Sequence, residues 1–221
     1  TGGTITGSAR LRVIDGASFS GGTLGGGSAM LVQLSGVSNI SGTFTDDATL
    51  ENDQWLNWSS GDIMLRAGGA LQNNGIMYIT ADRRIEAGTG AAQLGNSVNG
   101  VIAVYAGAGE TDIDAPVVNS GFIQIQTGTL SLNGGGRAGA GGFYEAPGAV
   151  LQFGTTASGT SGTFAPAGGL YPAPVPRVTG GVVDFSAAAA VGFGTSLDVS
   201  GGAVLLGTLA ATAGSFSLTN G

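Results

Sequence analysis

Side chains able to do acid–base or coordination chemistry are few in this chain, and they are unevenly placed. Its 221 residues include 14 Asp and Glu and 7 basic residues, with no His and no Cys. The acids gather as Asp46 and Asp47 with Glu51 and Asp53, and as Glu110, Asp112 and Asp114. In Asp112-Ile113-Asp114, strand alternation puts both carboxylates on one side of the chain, around an inward Ile113. Such a pair could hold a hard, oxygen-seeking cation or divide the acid and base roles that glycosidases give to paired carboxylates. A solvated turn beside a core isoleucine explains the same residues with no ligand. Asp112 and Asp114 are therefore the metal candidates, and no residue is assigned a catalytic or cofactor-binding role.

Absences narrow the chemistry further. Without His, the commonest metal ligand and general base near neutral pH are missing. Without Cys there is no thiolate chemistry and no disulfide. Every basic residue is Arg, so neither a Schiff base nor a lysine isopeptide crosslink can form. The Arg-rich arrangement of polysaccharide lyases is not recognisable, and Gly134–Gly142 lacks the Asp of calcium-binding Gly-Gly-x-Gly repeats. Asp82-Arg83-Arg84 with Glu86 is the one dense mixed-charge patch, and it reads as a turn with local ion pairs. The net charge of −7 disfavours nucleic acid and anionic lipid as partners. No apolar run approaches the roughly 20 residues of a membrane helix, so membrane insertion is not expected.

The elements that must position these residues are short strands. Gly occupies 44 positions, hydrophobic residues make up 42% and charged residues only 10%. This composition suits many brief strands joined by tight turns. Alternating triplets recur, among them Ile102-Ala103-Val104, Ile123-Gln124-Ile125, Leu130-Ser131-Leu132 and Leu197-Asp198-Val199.

Four segments align on Asn-x-Gly-like turns that end at Gln54, Gly75, Gly100 and Gly121. Two and four residues after each anchor lie Leu56/Trp58, Met77/Ile79, Ile102/Val104 and Ile123/Ile125, all apolar and expected inward. A second inward register, Ile63/Leu65 and Leu130/Leu132, is replaced by Ile85 and Ile113 in the middle segments. Asn52, Asn73 and Asn119 precede their anchors by two residues and form an expected structural ladder at left-handed turns, with Val98 interrupting it.

The residue directly after each anchor is Trp55, Ile76, Val101 or Phe122, with Tyr78 nearby. If the inward assignment holds, this column faces outward as an apolar interaction stripe. The other reading turns it inward at a corner. An ice-binding face would need regular Thr ladders, and Thr43-Phe44-Thr45 stands alone.

A unit of about 20–25 residues with several strands reads as one solenoid coil. The expected fold is all-β, a right-handed parallel β-solenoid (β-helix) over residues 1–221 with nine or ten coils. A Gly-rich loop is expected at 134–149, and a Pro/Gly/Ser/Thr-rich insertion at 154–180 that leaves the wall, with 171–176 near polyproline II. The chain begins and stops in mid-pattern, as a piece of a longer one would.

The phrases Leu71-Gln-Asn-Asn-Gly75-Ile-Met-Tyr-Ile79 and Asn119-Ser-Gly121 through Gly-Thr-Leu130-Ser-Leu132 carry a resemblance. They resemble the repeats of bacterial surface β-helices, namely filamentous-haemagglutinin-like adhesins and autotransporter passenger domains. The likeness covers about Leu50–Gly136 and transfers no active-site residue. It implies a protein exported to the bacterial cell surface as a structural or adhesive module. Its expected partners are itself, head to tail or side by side, another surface protein, or a glycan, with no cofactor. The alternative is a carbohydrate-binding or polysaccharide-cleaving β-helix, since solenoids also host such proteins.

Overall fold

The computed structural model describes residues 2–26, 29–139, 141–160, 162–166, 176–187, 191–193, 196–207, 211–213 and 215–219. An alternating strand of three or four residues needs a cover for its apolar side and partners for its backbone. Both come from the next turn of the chain. Strands of successive coils pair in parallel, one above another, and no α-helix occurs among the described residues. The fold is a parallel β-solenoid.

Three faces form the wall. The first climbs from Thr4–Thr6 through Gly22–Gly25, Phe44–Asp46, Ile63–Leu65 and Arg84–Ala87, and reaches Phe216–Leu218. The second runs from Arg10–Val13 through Leu31–Leu34, Thr49–Asn52, Ala70–Asn73 and Gln93–Asn96 to Val117–Asn119 and beyond. The third stacks Val37–Ile40, Trp55–Trp58, Ile76–Ile79, the first halves of Val101–Ile113 and Phe122–Leu132, and Gly142–Glu145.

One continuous core lies between them. The eight residues expected inward on the third face, Leu56 to Ile125, are all 0–1% exposed. Ile63, Ile85, Ile113 and Leu132 stack in one column of the first face, so Ile85 and Ile113 do fill the middle coils. Ile63 aligns with Leu132, however, and not with Leu130 as the shared spacing predicts; Leu130 stacks on Thr111. Each such side chain contributes roughly 2 kcal/mol of burial. That burial exists only because neighbouring coils cover one another.

Two expectations for irregular segments need correction. The Gly-rich 134–149 segment stays largely in the wall. Gly136–Ala138 pairs with Val117–Asn119, and Gly142–Glu145 pairs with the start of Phe122–Leu132. Ala138 and Phe143 still fill inward positions, and the small residues allow close approach: a Cβ on Gly136 would overlap the Val117 carbonyl. Within 154–180, Thr163–Pro166 and the first half of Arg177–Asp184 are wall strands too. Phe164 draws the former inward, its ring centroid 5.9 Å from Phe143 and 5.1 Å from Phe153. The polyproline reading of 171–176 falls almost wholly outside the described residues.

Candidate functional site

The third face answers the question about the apolar column. Trp55, Ile76, Val101 and Phe122 are direct neighbours in register, and Val37 extends the row on the Trp55 side. They point outward: Val37 is 52%, Trp55 48% and Phe122 39% exposed, with Ile76 and Val101 half-buried. The second outward row reads Asn39, Asn57, Tyr78, Ala103, Gln124 and Tyr144. The Trp55 and Tyr78 rings meet edge to face at 6.0 Å, and Tyr78 and Tyr105 lie 6.3 Å apart. Asn57 Nδ2 donates to Asn39 Oδ1 at 3.0 Å, and Gln126 Nε2 to Gln124 Oε1 at 3.3 Å. From Val37 to Tyr144, neither outward row of this face carries a charged residue.

Beneath this face a buried amide ladder sets the backbone. Asn52, Asn73, Asn96 and Asn119 share one inward column of the second face and are 0–1% exposed. Each Nδ2 donates to the Oδ1 of the next, at 2.7, 2.8 and 2.8 Å. The same groups donate across the corner. Asn52 reaches the Ile76 carbonyl at 3.1 Å, Asn73 that of Val101 at 3.0 Å and Asn96 that of Phe122 at 3.3 Å. The interior ladder thus fixes three members of the outward row.

Two details of the expected ladder are corrected. Its fourth member is Asn96, and Val98 lies exposed in the turn after it. The Asn residues are not left-handed: they end strands, and Ala67 is the sole described non-glycine residue with positive φ. Glycine serves this corner through close approach. A Cβ on Gly100 would overlap Asn96 Oδ1 and the Asn73 carbonyl.

The first face presents a different surface. Arg84 opens its strand and pairs with Asp112 through Nη2 at 3.0 Å, while its Nε lies 3.4 Å from Asp114 Oδ2. Asn133 Nδ2 donates to Asp112 Oδ1 at 3.1 Å and to Asp114 Oδ1 at 3.0 Å. The Ala157 amide donates to Asp114 Oδ2 at 3.1 Å, tying the excursion after Phe153 to the wall. Every oxygen of the candidate metal pair is engaged, and no metal-holding cluster occurs among the described residues. The hydrogen bond that Arg84 donates to Asp112, outweighing partial desolvation, pushes the guanidinium above its ordinary pKa. The expected local turn is only part of this, since Arg84 finds its partners a coil away and Arg83 stays in the turn.

Asp46, one of the first acidic cluster, lies inside the coil. It occupies an inward column between Leu24 and Leu65 and is fully buried. Its Oδ1 accepts the Ala48 amide at 3.0 Å, while Oδ2 has no hydrogen-bond partner. Burial pushes its pKa up to about 7, with Asp47 adding to the rise and the Ala48 amide opposing it.

Asn96, Tyr105 and Tyr144 also went unassigned. For Asn96 the sequence does hold a signal: Leu50-x-Asn52, Leu71-x-Asn73, Leu94-x-Asn96 and Val117-x-Asn119 share an apolar-x-Asn frame. That frame gives ladder steps of 21, 23 and 23 residues. Comparison with protein-family models, curated proteins and solved structures finds no significant match. The resemblance to surface β-helix repeats therefore rests on the motif itself.

Proposed function

We propose that this chain is a rigid structural and adhesive rod of a bacterial cell-surface protein, and that its third face is the contact surface. The observation that supports this reading is the outward row Val37, Trp55, Ile76, Val101 and Phe122, stacked in register along the rod, its last three members also held by a buried ladder. A row of large apolar side chains held toward solvent is costly to keep unless something covers it. The polar chemistry of the first face is spent on internal pairing, which favours a scaffold over a catalyst.

The test has two readouts. Antibody against the chain labels intact source cells from outside, and beads coated with it attach to cell monolayers. Replacing Trp55 and Phe122 together by Asp abolishes attachment while the far-ultraviolet circular dichroism stays unchanged. Labelling only after lysis would remove the surface location; attachment indifferent to the double replacement would remove the third face from the role.

A further inference from the structure

We infer that the third face binds an uncharged, extended polysaccharide of β-linked pyranose units. This rests on the reading of that face as the contact surface and names its partner. Pyranose rings present C–H groups on their faces and hydroxyls around their rims. A surface for them needs aromatic rings beside amide and hydroxyl groups that donate and accept. Trp55, Tyr78 and Tyr105 form such an aromatic run, with centroids 6.0 and 6.3 Å apart. Asn39, Asn57, Gln124 and Gln126 flank it on the same face. The coils repeat every ~4.8 Å, near the rise per sugar of an extended β-linked chain, and the two outward rows stand roughly 7 Å apart.

Charge and row composition select against other occupants. A protein of net charge −7, with no charged side chain in these outward rows, offers nothing to hold an acidic polymer. A second copy laid face to face would want apolar residues in both rows, as sheets packed on each other have. Here the second row places Asn39, Asn57 and Gln124 where a dry interface would strip amides of water.

The experiment measures retention of the whole chain on insoluble cellulose and chitin as neutral probes, and on immobilised polygalacturonate and heparin as charged ones. The expected result is retention on at least one neutral polymer and none on the charged pair. Trp55→Ala and Tyr105→Ala each weaken it about tenfold, as losing one stacked ring does, and Trp55→Phe falls between. Both side chains are about half exposed, so the fold survives their removal. Retention that ignores both alanine variants, or that favours the charged polymers, overturns the inference. No retention on either neutral polymer, with bead attachment still dependent on Trp55 and Phe122, removes the glycan and leaves the contact face. If both assays are blank, both readings fall.

Discussion

The third and first faces are built from the same coils, with the same inward apolar columns, yet their outward rows have little in common. The third presents Trp, Tyr, Phe, Val and Ile beside amides, without charge. The first carries Glu86 beside Arg84 and Asp112, the last two joined by a long-range ion pair and Asp112 also to Asn133, and has an inward Asp46 beneath it. The difference lies in what closes the hydrogen bonds. On the first face side chains complete one another and little remains for a visitor. On the third face the buried ladder satisfies the backbone from within, which leaves the outward row available. Sensitivity to pH and salt should accordingly belong to the first face, and sensitivity to a partner to the third.

The largest effect expected is on Asp46. Its folded pKa of about 7 lies above the ordinary 3.8, so the folded state binds the proton more tightly. Its contribution to stability is therefore fully present below about pH 4 and is lost as pH rises through 7. The shift corresponds to roughly 4 kcal/mol. Asp46→Asn mimics the protonated acid, so denaturant unfolding should show it more stable than the wild type by a few kcal/mol at pH 8 and nearly equal to it at pH 4. A wild-type profile flat from pH 4 to 8 would contradict the buried, unpaired carboxyl.

Next is the ladder. Asn73→Ala leaves the Asn96 Oδ1 and the Val101 carbonyl without their donor and should cost about 3 kcal/mol. Unlike the Asp46 effect, this loss should be the same at pH 4 and pH 8 and in high salt. Arg84→Met should cost less, about 2 kcal/mol, because Asp114 is mostly buried while Arg84 and Asp112 remain partly hydrated. That loss should shrink as salt is added, which distinguishes it from lost packing. Smallest is Trp55→Ala, expected below about 1 kcal/mol on a half-exposed ring, and visible in binding far more than in unfolding.

How far the sequence revealed this follows from the physics of each part. Inward alternation was legible from Leu56 to Ile125, because core positions in a stacked coil demand apolar residues at fixed spacing. The ladder was legible at Asn52, Asn73 and Asn119. It was missed at Asn96 because a longer turn, Ser97–Gly100, separates that residue from the anchor used for alignment. Asp46 was hidden because an acid beside another acid looks like a surface turn, and only stacking between Leu24 and Leu65 shows it inside. Phe164 was lost among prolines and glycines, which advertise loops more strongly than one inward aromatic advertises a strand. The Arg84–Asp112–Asn133 network spans coils, so no local pattern announces it.

One property of the amide ladder reaches beyond stability. Its side chains all donate in the same sense, from Asn52 through Asn73 and Asn96 to Asn119, which donates in turn to the Gly142 carbonyl at 3.4 Å. A coil displaced by one residue would set an amide against Gln33 or Gln72 positions of the outer side and break the chain of donors. A whole extra coil bearing its own asparagine would instead splice in and pass the bond along. The ladder checks phase and is indifferent to length, so a rod of this design can be lengthened by gene duplication without having its register reinvented.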